Sequence, residues 1–145
     1  MNSSDEAKVA SRLSASEKLV WKRRKRQLIA TLNALSDKPD MFGADKIKRQ
    51  VIVPILKKCE RKTGSRSYIS ALQWHAKAAR RNLDRLDHEG AGEQQRELET
   101  LKGHLHACVS MIDLMLYASE TGGVDAIIRR FVAGSCYGTP TPFTH

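Results

Sequence analysis

The chain has 145 residues, 41% of them hydrophobic, which is enough for one domain with a real core and too little for two independent ones. Lys and Arg number 25 against 16 Asp and Glu, a formal net charge of +9, and no run approaches the roughly 20 apolar residues needed to cross a bilayer. Cys59, Cys108 and Cys136 lie far apart and are odd in number, which argues against a disulfide framework. The first residues also lack the apolar core of a secretory signal, so an intracellular protein is expected, cytoplasmic or, in a eukaryotic cell or a virus of one, nuclear.

Residues 1–13 mix small and charged types without period and read as a flexible arm. Ser14 and Glu17 have capping-box spacing and predict a helix over 14–36, with Trp21, Leu28, Leu32 and Leu35 on one stripe. Pro39 should break that helix, leaving residues 41–43 as a short apolar link. A second helical segment is expected over 45–62, capped by Asp45 and split into two halves at Pro54. Over 67–89, Leu72, Ala76, Ala79, Leu83 and Leu86 are spaced four, three, four and three. Over 91–119, Leu98, Leu101, Leu105, Cys108, Ile112 and Met115 repeat in the same manner. Two such seams joined by a Gly-rich turn at 90–92 predict a long antiparallel helical hairpin over 67–119. A short capping helix over 124–132 and an extended tail over 134–145, with Pro140 and Pro142, complete the chain. The fold class is therefore all-α: one helical domain over 14–133, built on the hairpin and a basic N-terminal helix.

Charge is distributed unevenly. Residues 1–88 carry a net +12 and residues 89–145 a net −3, a polarised field that attracts polyanions to one half. Lys22, Arg23, Arg24, Lys25 and Arg26 are five consecutive cations, and at about 100° per residue they cannot share a face. Lys25 falls nearest the apolar stripe and must reach out along it. Further clusters are Lys46, Lys48 and Arg49; Lys57, Lys58, Arg61 and Lys62; and Lys77, Arg80, Arg81 and Arg85. Lys77, Arg81 and Arg85 repeat every four residues as a ridge. Trp74, three before Lys77, joins that ridge as a stacking platform or partner anchor, unless it is buried against the N-terminal helix.

These features predict a non-catalytic protein that binds the phosphate backbone of double-stranded RNA or DNA by shape more than by sequence. Its contacts would be Lys22, Arg23, Arg24, Arg26, Lys77, Arg81, Arg85 and Trp74, and it would pair as a homodimer through leftover hairpin seam. The alternative is an adaptor or inhibitor covering an acidic protein surface, anchored by Trp74, Tyr68 and the stretch 111–115. No membrane association and no cofactor are expected. His104 and Cys108 share a helix face while His106 points elsewhere, and two potential ligands do not make a structural zinc site, which needs four. No Gly-rich phosphate loop follows a strand and no nucleophile motif is present, so catalysis is not expected.

Overall fold

Ser14 and Glu17 form the reciprocal cap their spacing predicts. The Glu17 amide donates to the Ser14 hydroxyl at 3.1 Å, and the Ser14 amide donates to the Glu17 carboxylate at 3.2 Å. Hydrogen bonding from the Ser14 backbone, and then from its side chain, holds the Glu17 carboxyl below its ordinary pKa. The computed structural model, which describes residues 13–88 and 91–121, continues from this cap as α1 (Ala15–Asp37). It is followed by α2 (Pro39–Ala44), α3 (Lys46–Arg61), α4 (Ser67–Leu86) and α5 (Ala91–Thr121). Among the described residues there is no strand, and the fold is an all-α bundle. The expectations for residues 1–12, for Gly90 in the turn, for a helix over 124–132 and for a tail over 134–145 fall outside the described residues.

Two segments differ from the sequence-based expectation. Residues 41–43 are no loop: Pro39 stands in the first turn of α2, where its missing N–H costs nothing. Phe42, 2% exposed, roots that turn in the core. The second difference is α3, one helix assigned without interruption through Pro54. Pro54 is exposed, so its ring meets little packing, and the carbonyl deprived of a donor belongs to Gln50, also exposed. Asp45 caps α3 as expected, accepting from the Lys48 amide at 3.1 Å.

The hairpin of α4 and α5 is the most extensive helix pairing. Every seam residue named from the spacing, from Leu72 to Leu86 and from Leu98 to Met115, is buried. The opposite flank of α5 receives α1, whose Trp21, Leu28, Leu32 and Leu35 are all buried, and α3 packs on α4. Covering so many Leu and Ile side chains, at about 1.5–3 kcal/mol each, is what holds the bundle together. No named seam residue is left over for a second copy.

Buried polar links set the register. Asn82 donates to Glu97 at 2.6 Å across the hairpin, with both residues buried. Leu13, the last residue of the expected arm, is buried and donates its amide to the Ser119 hydroxyl at 2.7 Å. Arg49, 6% exposed, donates to the Phe42 and Gly43 carbonyls and to Asp87 at 2.5 Å. One guanidinium thus joins the end of α2 to the end of α4, beside the groove described next.

Candidate nucleic-acid interface

On α3, positions 49, 53 and 57 recur every four residues and so share a face; on α4, positions 77 and 81 do the same. The packing of α3 on α4 brings the two faces together across an open groove of about 480 Å³, bounded by Arg49, Gln50 and Lys57 on one side and Lys77, Arg80 and Arg81 on the other. Two of these cations are committed to the fold. Arg49 is held by Asp87 as above, and Arg80 pairs with Glu60 at 2.8 Å. Lys57, Lys77 and Arg81 have no carboxylate partner among the described residues. All three are exposed. Asp84 and Asp87 line the groove as well, so its charge runs from positive to mixed along its length. The buried Nε–H of Arg49, one of the lining residues, has no acceptor.

The rest of the expected ridge diverges. Arg85 is not a groove residue, and its guanidinium lies 3.7 Å from the Glu97 carboxylate on α5. Trp74 is 61% exposed, so burial against the N-terminal helix is not its fate. It does not head the groove either, because its ring stands edge-on to His75 at 4.8 Å and to His104 of α5 at 5.5 Å.

Two of the five cations in the run on α1 are engaged by α5. Lys25, placed nearest the apolar stripe by helical geometry, reaches Asp113 at 2.7 Å, and Lys22 lies 3.8 Å from Glu120. Arg24 sits 4.5 Å over the Trp21 ring, a cation–π contact. Arg23 and Arg26 are exposed and without a carboxylate partner among the described residues. Of eight residues singled out from sequence, the structure therefore brings Lys77 and Arg81 together on one surface. It leaves Arg23 and Arg26 on α1, engages Lys22, Arg24 and Arg85 within the fold, and turns Trp74 toward α5.

Of the three unpaired groove cations, Lys57 is the one that sequence reasoning did not single out. It stood in a cation cluster of its own, and only the packing of α3 on α4 puts it opposite Lys77. Anchors proposed for an acidic protein partner are mostly internal: Tyr68 and Met115 are buried, while Trp74 remains outside. Cys108 and His104 do not act as a pair, since Cys108 is fully buried and burial pushes its thiol up, with Cys59 nearby adding to the shift. Burial likewise pushes the Cys59 thiol up to about 12. Both behave as small hydrophobes. Among the described helices none is long and apolar enough to cross a membrane. Comparison with known proteins found no matching family, no matching curated protein and no matching solved structure.

Proposed function

We propose that this is a non-catalytic nucleic-acid-binding protein that grips the phosphate backbone of a duplex at the α3–α4 groove. One observation carries the reading: Lys57, Lys77 and Arg81, from two helices, line one open groove, and none of the three is paired with a carboxylate among the described residues, Asp84 and Asp87 of the same lining included. Three uncompensated cations held close together repel one another, and a phosphate between them relieves that repulsion while releasing the counterions condensed on the duplex. Arg23 and Arg26 supply a second positive patch on α1. Contacts of this kind position a protein on the backbone and carry no base information.

The test is binding of labelled duplex RNA and duplex DNA to the full chain, followed by anisotropy at two salt concentrations. Affinity should fall steeply as salt rises and differ little between unrelated sequences. Absent or salt-insensitive binding would falsify the reading.

A second reading has its own support. Ile47 and Val51 stand one turn apart on α3, 79% and 61% exposed, with Lys46 and Lys48 beside them. An apolar pair among cations suits an acidic protein surface that offers apolar contact. Capture of a partner from nuclease-treated lysate, lost in Ile47→Asp/Val51→Asp, supports this reading; capture that disappears with nuclease treatment returns the case to nucleic acid.

A further inference from the structure

We infer that His75 and His104 form a chelating site for a divalent transition-metal ion, copper(II) most tightly, on the surface of the α4–α5 hairpin. The two residues lie almost equidistant from the turn that joins the helices, so antiparallel packing places them opposite each other. Their Nδ1 atoms are 3.0 Å apart, and their ring centroids 5.2 Å, with the planes tilted by 45°. Two nitrogens bound cis to one ion at about 2.0–2.1 Å stand roughly 2.8–3.4 Å apart. The observed separation lies inside that window.

Without metal, this spacing is a hydrogen bond in which one ring carries its proton on Nδ1 and the other accepts. A metal ion takes the place of that proton. The donor ring then keeps its hydrogen on Nε2, so the exchange costs a tautomer shift and no net deprotonation. Both rings are already biased to the neutral form that ligates. Burial lowers the proton affinity of each, and for His104 the neighbouring His75 lowers it further.

The scaffold is rigid where it matters. Leu72 and Ala76 flank His75 on α4, Leu101 and Leu105 flank His104 on α5, and all four are buried. Trp74 covers one side with its ring against both imidazoles. Among the described residues no third His, Cys, Asp or Glu completes a cluster. The remaining positions therefore belong to water or to an incoming donor. A two-imidazole site of this kind is an exchangeable one, and divalent affinities at nitrogen ligands peak at copper(II). The proposal does not depend on the reading of the groove.

Trp74 provides the test. Copper(II), buffered with glycine, is titrated into the full chain at neutral pH while tryptophan fluorescence is recorded. About one equivalent should quench Trp74 with a midpoint in the micromolar range, and zinc(II) should bind more weakly, following the order of divalent affinities. Trp74→Phe should remove most of the quench while calorimetry still finds the same stoichiometry. His75→Gln and His104→Gln should each shift the midpoint by on the order of tenfold or more, given that losing even an outer partner of a metal ligand costs that much; His106→Gln should not shift it. An unchanged midpoint in either His75→Gln or His104→Gln overturns the proposal. A measurement on the unaltered chain guards against misfolded variants: copper(II) should broaden the imidazole resonances of His75 and His104 before those of His88 and His106, and the opposite order also overturns it.

Discussion

The two basic regions of this molecule make an instructive pair. The run on α1 is the densest charge in the sequence, yet the fold sets α1 against α5, where Asp113 and Glu120 meet Lys25 and Lys22. The α3–α4 groove draws on cations that are twenty residues apart in sequence and belong to separate clusters. Of the acids in and beside it, Asp87 is held by Arg49 and Glu60 by Arg80, and Asp84 has His88 at 3.8 Å, so Lys57, Lys77 and Arg81 stay unpaired among the described residues. Charge density along a chain and charge available to a ligand are different quantities. The second depends on which helix faces the acidic one.

The sharpest way to break this comparison is to remove a cation that serves the fold. Arg49→Met leaves the Phe42 and Gly43 carbonyls and Asp87 without their donor, and should lower stability by about 3 kcal/mol in urea unfolding. A loss below about 1 kcal/mol would mean that Arg49 is a free groove cation. Next in size is the double reversal Lys77→Glu/Arg81→Glu, which should weaken duplex binding on the order of 100-fold and equally for unrelated sequences. Titration of salt then separates the two regions: neutralising one phosphate each at Lys57, Lys77 and Arg81 gives a logarithmic slope of about −2.7, and adding Arg23 and Arg26 gives about −4.5.

The remaining effects are smaller. His75 and His104 bind a proton less readily in the folded chain than in the unfolded one. Their contribution to stability is therefore complete above about pH 6.5 and is lost as pH falls through the lowered folded values. Urea midpoints should drop on acidification through that window, and His104→Gln should flatten that part of the profile. Smallest of all, Lys22→Ala/Lys25→Ala removes two half-exposed ion pairs. It should cost less than about 1 kcal/mol of stability and change duplex affinity by no more than about threefold. A loss as large as that of the groove reversal would return α1 to the centre of the interface.

Much of the architecture was legible because it is local. The Ser14–Glu17 cap, the Asp45 cap and the stripes of α1, α4 and α5 follow from periodicity and capping chemistry, and the structure buries each named seam residue. The misreadings also have local causes. Pro39 ends α1 at Asp37 as its missing N–H predicts, but it also starts α2, so residues 41–43 are helical where the pattern reads as a link, and Pro54 lies on an exposed side of α3 that tolerates it without a split. The pairing of His75 with His104 was within reach, since reflecting one position through the hairpin turn finds the other. Spacing along one helix pairs His104 with Cys108 instead, on a face where Cys108 is fully buried in the core.

By itself the sequence determined the class of fold, the helices and their buried faces, and an excess of cations in the first eighty-eight residues. These rest on interactions between residues a few positions apart, whose geometry any helix imposes. Tertiary structure alone decided which cations remain unneutralised, that Lys57 stands across from Lys77, and that Arg49 is an internal clamp. Those outcomes turn on which helices pack side by side, and that choice is made by apolar surface. Burial of the seams puts α1 on acidic α5 and α3 on basic α4, and the charges take the neighbours that this packing assigns them.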